Sequence, residues 1–464
     1  MKQSLCDIII FRKRKENRMG KITFMGAGST VFAKNVIGDS MTCEALRDFE
    51  FALYDIDAQR LKDSQLVIEA MNHSFNEDRA KVVSYLGVEN RKNALRGADF
   101  VICAIQVGGY EPCTVIDFEI PKKYGLRQTI GDTLGIGGIF RALRTIPVLR
   151  DFAADMEEVC PDAWLLNYTN PMAMLCRAMQ EKYPNLKITG LCHSVQGTAH
   201  MLAQWVGANP EEVTYTCAGV NHQAFYLDFK WNGKDMYPLL KEAMKKEEIL
   251  NAEQVRNNMF LNLDYYVTES SGHNSEYVAW YRKRADLIDQ YCTNSTNWNP
   301  GVNAYILNDY MARKNTWRND IKQFLDKPDS EINLSRGQEY AAYIFNAVFG
   351  DHTIFEFNGN VRNFNLIDNL PYGCCVEVPV VASKDSLESV AVGALPDQLA
   401  ILINTTARCE ELAVQAYFDG DARKVFWACA FDPLTSSVLS LDEIQQMVTE
   451  MLEQNKDYLP WYKG

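Results

Sequence analysis

The first part of the chain alternates short apolar runs with longer stretches of helical spacing. Runs that we interpret as β-strands cover residues 21–25, 49–53, 81–86, 98–105, 163–166 and 187–191. Because helical stretches separate these runs, the pattern is typical of strands joined by helical crossovers, which run parallel. It predicts a Rossmann-type α/β fold with a doubly wound, mainly parallel sheet.

A glycine turn follows the first predicted strand. Gly26, Gly28 and Ser29 stand between this strand and a predicted helix that begins at residue 30. The free backbone N–H groups and the dipole of such a helix can hold a pyrophosphate. The third glycine of the usual dinucleotide fingerprint is replaced by Val31, so the turn alone is a weak signal.

The ends of the next strands strengthen this interpretation. Asp55 follows the second strand, where an acidic side chain binds the ribose hydroxyls of NAD, and Asp57 is the alternative. Gln106 opens a bend of small residues after the fourth strand, where a nicotinamide ribose could approach the backbone. These residues predict an NAD site. The glycine-rich segment 129–138 predicts a flexible loop that could wrap the cofactor or the sugar, and the alternative is a long turn that needs glycine for positive φ angles.

Candidate metal ligands and polar groups stand at the same predicted sheet edge. Cys192 follows the last strand of this part of the chain, and His222 lies further on. A thiolate and an imidazole together could hold a divalent transition metal with positions left open for a substrate. Asn170, held before Pro171, supplies neutral hydrogen-bonding groups where ligands bind in open α/β folds.

The pattern changes beyond residue 197, where helices mix with short strands. Predicted helices cover 198–206, 237–254 and 336–349, and predicted strands cover 212–219, 224–230 and 376–381. We expect a mixed α+β lobe that is packed against the first lobe, with the site between them. The predicted domains are a disordered N-terminal extension over 1–18, an NAD-binding Rossmann domain over 19–195 and a substrate- and metal-binding domain over 196–464.

Composition excludes several classes of partner. The net charge of -13 argues against nucleic acid or an anionic membrane surface, because binding to phosphates needs clustered cations. No apolar run approaches the roughly 20 residues of a spanning helix. The 13 cysteines show no CxxC pair and stand mostly in apolar contexts, so we expect reduced thiols and a cytoplasmic location.

Five ordered motifs resemble those of glycoside hydrolase family 4, whose members depend on NAD and a metal ion. The motifs occupy residues 25–29, 132–138, 167–171, 192–195 and 219–222. The similarity runs in register from residue 20 to residue 459, so it covers nearly the whole chain. Segments 108–113 and 367–371, with His193 after Cys192, are most similar to the bacterial α-galactosidases of this family.

The resemblance implies hydrolysis of α-galactosides such as melibiose without net redox. On this resemblance, NAD⁺ would take a hydride from C3 of the sugar, and Mn²⁺ would polarise the resulting ketone, so that the C2 proton would become acidic. The aglycone would then leave by elimination, water would add, and the hydride would return to C3. The two-carboxylate mechanism of most glycosidases does not apply to this family.

The resemblance also assigns roles to individual residues. It implies that Cys192 and His222 bind the metal and that a tyrosine removes the C2 proton. Tyr265 is our choice for this base and Tyr266 the alternative. His193 stands where relatives that act on phosphorylated glucosides carry an aspartate, so it is the candidate acid for the leaving group. The alternative is that His193 only forms a hydrogen bond to a sugar hydroxyl.

Further expectations concern the substrate and the assembly. Asn170 is expected to bind sugar hydroxyls, and Arg362 to reach the sugar or a partner subunit. Relatives form dimers or tetramers, so we expect a homodimer or a homotetramer. Two other activities stay open: an α-galacturonidase, which would aim a cation such as Arg362 at the sugar carboxylate, and an NAD-dependent 2-hydroxy-acid dehydrogenase. A non-catalytic NAD-sensing protein is a third alternative.

Overall fold

One sheet runs through the computed structural model, which describes residues 19–292, 301–314, 316–327, 337 and 339–463. The predicted N-terminal extension, residues 1–18, lies outside the described residues. The strands of the sheet are β1 Lys21–Met25, β2 Glu50–Asp55, β3 Lys81–Leu86, β4 Phe100–Cys103, β5 Trp164–Asn167, β6 Lys187–Leu191, β7 Val213–Val220, β8 Gln223–Trp231, β9 Lys234–Asp235, β10 Phe355–Arg362, β11 Cys375–Ser383 and β12 Ser386–Ser389.

Helices cover both faces of this sheet. In chain order they are α1 Thr30–Met41, α2 Ala58–Asn76, α3 Arg91–Leu95, α4 Val115–Lys123, α5 Gly135–Val159, α6 Met172–Lys182, α7 Ser194–Val206, α8 Tyr237–Ala243, α9 Glu247–Ala252, α10 Gln254–Leu263, α11 Ser271–Glu276, α12 Ala285–Tyr291, α13 Tyr305–Arg313, α14 Trp317–Leu325, α15 Tyr340–Phe349, α16 Asp397–Asp419, α17 Ala422–Phe431, α18 Pro433–Val438 and α19 Leu441–Asn455. Among the described helices, none is both long enough and apolar enough to cross a membrane.

The first six strands are parallel and pair in the order β3-β2-β1-β4-β5-β6. Apolar side chains of α5, α6, α16, α17 and α19 pack into one core, and those of α1, α2 and α15 pack into another. Apart from the edge strand β3, these strands are short, mostly buried and rich in apolar residues, as parallel strands covered on both faces are. The predicted doubly wound α/β fold is confirmed.

The remaining strands extend the same sheet with antiparallel pairings. Strand β10 pairs with β6 through Gly359 opposite Leu191 and Asn360 opposite Gly190. The order then continues β11-β7-β8-β9, and β12 pairs with β11. Strand β10 was not predicted, because polar residues interrupt its apolar positions. Gly359 permits the close pairing, since a Cβ there would lie 2.8 Å from Cγ2 of Thr189.

Two predicted elements were wrong. The predicted helix over 237–254 is three helices, α8, α9 and the start of α10, which are separated near Met244 and at Glu253. Glu253 leaves the helical conformation (φ -137°, ψ 60°), and its Oε2 accepts hydrogen bonds from Nε of Arg256 and N–H of Ser271, both at 2.8 Å. The buried contacts of Glu253 therefore interrupt the helix, although the spacing of apolar residues in the sequence favours a continuous one.

The glycine-rich segment 129–138 is not one flexible loop, because helix α5 begins inside it at Gly135. A Cβ on Gly137 would lie 2.1 Å from the carbonyl oxygen of Gly131. The carboxylate of Glu276 accepts N–H donors from Thr129 at 2.6 Å and Gly131 at 2.7 Å. Glycine here allows close packing rather than mobility.

A buried ion pair fixes α5 against the segment that follows β4. Nη1 and Nη2 of Arg144 donate to Oδ1 and Oδ2 of Asp117 at 3.0 and 2.5 Å, and Nε donates to the carbonyl of Val107 at 3.2 Å. The two side chains are 0% and 2% exposed. Removal of one partner would leave the other as an uncompensated buried charge.

We expect Arg144→Ala to lower the free energy of unfolding by roughly 3–5 kcal/mol, because Asp117 loses its cation. Urea denaturation measures this change. Arg150→Ala is the control, since Arg150 lies on the same helix with its side chain 43% exposed, and its loss should be about 1 kcal/mol or less. Equal losses in the two variants would contradict the importance of the buried pair.

Candidate active site

The predicted site residues come from the carboxyl ends of parallel strands. The glycine turn follows β1, Asp55 ends β2, Gln106 follows β4, Asn170 follows β5 and Cys192 follows β6. Parallel strands end at the same edge, so the topology brings these segments to one side of the sheet.

The glycine turn is closely packed against its neighbours. A Cβ on Gly26, whose φ is +89°, would lie 2.3 Å from the carbonyl oxygen of Ala104. A Cβ on Gly28 would lie 2.7 Å from Oδ2 of Asp55, and its N–H donates to the same oxygen at 2.7 Å. Ser29 is the N-cap of α1, and its side chain makes no capping hydrogen bond. The turn therefore offers a cradle that only glycine backbone can form, which fits a dinucleotide pyrophosphate.

The two acidic residues after β2 have different contacts. Asp57 caps α2 by accepting hydrogen bonds from N–H of Gln59 and Arg60, both at 3.0 Å. Asp55 instead contacts the turn through Gly28. This difference favours Asp55 over Asp57 for the ribose role. Nε2 of Gln106 contacts Oγ1 of Thr114 at 3.3 Å.

A compact cluster of metal-ligand side chains lies beyond β6. Sγ of Cys192 lies 3.2 Å from Nε2 of His222, which lies 3.3 Å from Oε2 of Glu269. One ligand atom from each of these residues lies within 4.8 Å of the others. A thiolate, an imidazole and a carboxylate form a donor set that suits a divalent transition metal. The sequence singled out Cys192 and His222, and the structure adds Glu269.

The charges of the cluster are strongly coupled. Burial raises the pKa of the Cys192 thiol, but the charge of His222 and the hydrogen bonds from His222 and Ser194 together lower it. Burial opposes the charged form of His222, yet Cys192 and Glu269 raise its pKa to about 10. Burial would also raise the pKa of Glu269, but His273, His222 and Arg256 bring it to about 2. Cys192 and Glu269 thus both have lowered pKa values beside His222, and this arrangement favours a cation within the cluster.

Outer hydrogen bonds orient His222. Its Nδ1 lies 3.3 Å from the hydroxyl of Tyr277, which is buried. A metal-ligating histidine usually holds its second ring nitrogen in such a bond, and this fixes the orientation of the ring. Glu269 is held in turn by Nδ1 of His273 at 3.4 Å.

Several buried polar atoms lack a hydrogen-bond partner among the described residues. They include Oδ1 of Asn170 and both side-chain polar atoms of Asn221, the residue before His222. Such atoms cost free energy unless something pairs with them. A polar ligand at this edge would supply those partners.

The other predicted site residues differ in their contacts. Nε2 of His193 lies 2.7 Å from Oε2 of Glu339, a residue that the sequence did not single out. Burial opposes the charged imidazole, but the ion pair with Glu339 raises the pKa of His193. The contacts of Arg362 lie elsewhere: its Nε donates to the carbonyl of Gly373, and its guanidinium lies 5.2 Å from the ring centre of Phe364.

Tyr265 and Tyr266 lie on a segment that runs beside β8. N–H of Tyr226 donates to the carbonyl of Tyr266 at 3.0 Å. Tyr266 is fully buried, and its hydroxyl donates to Oδ1 of Asn257 at 2.9 Å. Tyr265 is half-buried and meets Tyr237 edge-on, with ring centres 6.4 Å apart. The hydroxyl of Tyr266 is therefore committed to a structural bond.

Two residues that sequence reasoning missed had weak signals. Glu269 stands four residues after Tyr265, but a single glutamate after a threonine has no metal-ligand spacing. Its positive φ of 65°, like that of His222, appears only in the folded chain. Glu339 precedes an apolar helix, and a lone glutamate in that position is typical of a solvated residue.

Together these features define a class of protein: an α/β enzyme fold in which a dinucleotide-type glycine turn and a cluster of metal-ligand side chains share one sheet edge. Residues 21–208 match the family 4 glycosyl hydrolases, and residues 217–435 match the C-terminal domain of that family. The chain belongs to glycosyl hydrolase family 4 and is a glycoside hydrolase. The family predicted from the sequence is confirmed.

Relatives of the chain carry related activities. It is 45% identical over 450 residues to an α-galactosidase of Bacillus subtilis, covering 96% of this chain and 100% of that one. It is 33% identical to an α-galactosidase of Rhizobium meliloti, covering 95% and 89%. It is 29% identical to an α-galacturonidase of Thermoanaerobacterium saccharolyticum, covering 95% and 97%.

Solved structures share the fold. A 6-phospho-β-glucosidase of Thermotoga maritima with manganese, NAD⁺ and glucose-6-phosphate superposes with a TM-score of 0.75 at 22% identity, covering 94% of this chain and 99% of that one. A 6-phospho-α-glucosidase from gut microorganisms, with NAD and Mn²⁺, gives a TM-score of 0.79 at 19% identity, covering 96% and 100%.

We expect Cys192→Ser to weaken metal binding, because an alcohol replaces the anionic sulfur. Titration with Co²⁺ gives a thiolate-to-metal absorption band in the wild type, and this band should be absent from the variant. Loss of a hydrogen bond to a metal ligand lowers metal affinity by roughly 10–100-fold. Cys192→Ser removes a ligand itself, so the affinity of the variant for Mn²⁺ should fall by more than this. Cys43→Ser, which changes a buried thiol between α1 and β2, is the control. An unchanged Co²⁺ band in Cys192→Ser would remove Cys192 from the ligand set.

Proposed function

We propose that this glycoside hydrolase cleaves α-galactosides such as melibiose, with NAD and Mn²⁺ as cofactors. The observation that carries the proposal is the Cys192–His222–Glu269 cluster at the sheet edge that also bears the glycine turn. The activities of the relatives at 45% and 33% identity support the choice of sugar.

The chain offers a separate set of groups for each cofactor. The metal would be held by the cluster of Cys192, His222 and Glu269. The dinucleotide would lie on the glycine turn and along the ends of β2 and β4. Its contacts would come from Gly26, Gly28, Ser29, Asp55 and Gln106.

When bound, the dinucleotide supplies an acceptor for the hydride from C3 of the sugar, and the metal supplies a Lewis acid. The oxidised dinucleotide is regenerated within each turnover. The protein residues bind the sugar and move its protons. Tyr265 takes the C2 proton, because its hydroxyl is not committed to a described hydrogen bond, whereas that of Tyr266 is. Asn170 has a free buried oxygen that can accept a hydrogen bond from a sugar hydroxyl.

His193 donates a proton to the leaving group in the proposed reaction. Its ion pair with Glu339 raises the pKa of the imidazole, so the ring carries a proton to higher pH than a free histidine does. A general acid needs its proton before the bond to the aglycone breaks. Glu339 thus acts as a positioning residue for His193.

Three broader proposals accompany the activity. The chain is a homodimer or a homotetramer in the cytoplasm. Residues 19–195 form the NAD-binding domain and residues 196–464 the substrate and metal domain. The sheet is continuous across this division, so the two domains share one structural layer.

We expect turnover of nitrophenyl α-galactoside and melibiose only when NAD⁺, Mn²⁺ and a thiol reductant are all present after dialysis. Each component is added back singly and in pairs, and released galactose is measured. NADH, followed by its absorbance, should not accumulate, because the hydride returns to the sugar. Lasting NADH would favour a 2-hydroxy-acid dehydrogenase. Faster turnover of nitrophenyl α-galacturonide would favour an α-galacturonidase, the activity of the relative at 29% identity.

We expect Tyr265→Phe to lower kcat by at least about 100-fold with little change in unfolding temperature, because general base catalysis contributes roughly 10²–10⁴-fold. Exchange of the C2 proton with solvent deuterium, followed by NMR, should fall with kcat. Tyr266→Phe is the matched control. It loses the hydrogen bond to Asn257 and should lower stability by about 1–3 kcal/mol. Retained exchange in Tyr265→Phe would reject Tyr265 as the base.

A further inference from the structure

A charge pair between Arg141 and Asp132 has no role in the proposed proton transfers or in metal binding. Nη1 of Arg141 donates to Oδ2 of Asp132 at 3.3 Å. The two side chains are 11% and 12% exposed, so the pair is largely removed from solvent. Oδ1 of Asp132 accepts the hydroxyl of Thr133 at 3.2 Å.

Asp132 of this pair is connected to the metal-ligand cluster. Tyr277 connects the two, because its hydroxyl meets Nδ1 of His222 at 3.3 Å and its side chain also hydrogen-bonds Thr133. The charge of Asp132 also acts on His273, which holds Glu269. Asp132 is therefore separated from a proposed metal ligand by its neighbour Thr133 and one tyrosine.

The position of the pair is fixed from several directions. Glu276 accepts hydrogen bonds from the backbone N–H groups of the residues just before Asp132. Arg141 lies in the second turn of α5, and its charge acts on Tyr310 of α13. Tyr310 in turn stacks on Tyr110, with ring centres 4.9 Å apart.

The chemistry of the pair suits a neutral polyol. A guanidinium has five N–H donors, and the described bond to Asp132 uses one of them. A sugar hydroxyl can accept from Arg141 and donate to Asp132 at the same time. A sugar carboxylate would also be attracted to Arg141, but it would lie against the anionic Asp132, and like charges placed together reject a ligand.

We propose that Asp132 and Arg141 form the subsite that makes this enzyme select neutral hexosides over hexuronides. This inference rests on the proposed α-galactosidase activity. The sequence suggested Arg362 as the cation for a sugar carboxylate, but its contacts are with Gly373 and Phe364. Arg141 instead pairs with Asp132, which masks its charge.

Asp132→Asn tests the subsite by removal of the masking charge. We measure kcat/KM for nitrophenyl α-galactoside and nitrophenyl α-galacturonide. The ratio should shift by at least about tenfold towards the galacturonide, because Arg141 then presents an uncompensated cation. Asp309→Asn is the control, since Asp309 pairs with Arg313 at 3.1 Å on α13. It makes the same chemical change and should leave the ratio as in the wild type.

Arg141→Gln and the double variant Asp132→Asn/Arg141→Gln complete the test. Arg141→Gln should raise KM for the galactoside more than it lowers kcat and should give no gain on the galacturonide. The double variant should lose the gain of Asp132→Asn. Circular dichroism and unfolding temperature establish that each variant is folded. If Asp132→Asn does not fold, an unchanged KM in Arg141→Gln overturns the proposal.

The outcomes separate this inference from the proposed function. An active wild type whose Asp132→Asn variant keeps the wild-type ratio overturns the subsite alone. A wild type that prefers the galacturonide, or that turns over neither sugar with all cofactors present, overturns both.

Discussion

The pairing of β10 with β6 is the constraint on which the candidate active site depends. Cys192 follows β6, whereas His222 lies in the turn between β7 and β8. Strand β7 reaches β6 only through β11 and β10 in the sheet order. The antiparallel strands therefore bring two side chains 30 residues apart in sequence to 3.2 Å.

Buried charge is the second organising feature. Cys192 and Glu269 are half-buried and have lowered pKa values, and their charges raise the pKa of the buried His222 to about 10. The charge of Cys192 also acts on Glu377, which is fully buried on β11. Burial raises the pKa of Glu377 well above its ordinary value, and the charge of Cys192 raises it further. The surroundings thus disfavour another anion and favour a cation.

Much of the fold could be predicted because buried parallel strands are visible in the sequence as apolar runs. The predicted bounds of β1, β3 and β6 agree with the structure. Strand β10 was missed because its central residues are Asn and Gly, whose fit depends on the neighbouring strand. The predicted helix over 237–254 was wrong for a similar reason, since the pairing of Glu253 with Arg256 and Ser271 exists only in the folded chain.

Part of the candidate active site could also be predicted from the sequence. Cys192, Asp55 and the glycine turn follow strands directly, so strand order alone places them at one edge. Glu269 and Glu339 depend on segments that fold back from a distance, and a single glutamate in sequence carries no such information. The choice between Tyr265 and Tyr266 depends on the hydrogen bond from the hydroxyl of Tyr266 to Asn257, which only the folded structure shows.

One short helical turn ties together two parts of the site. Glu276 holds the backbone of residues 129–131, and the next residue, Tyr277, holds the ring of His222. A shift of this turn would loosen both contacts together. Binding of an ion at the proposed metal position would therefore be thermodynamically linked to the order of the segment that leads into α5. By reciprocity, whatever steadies this segment would also tighten the binding of the ion.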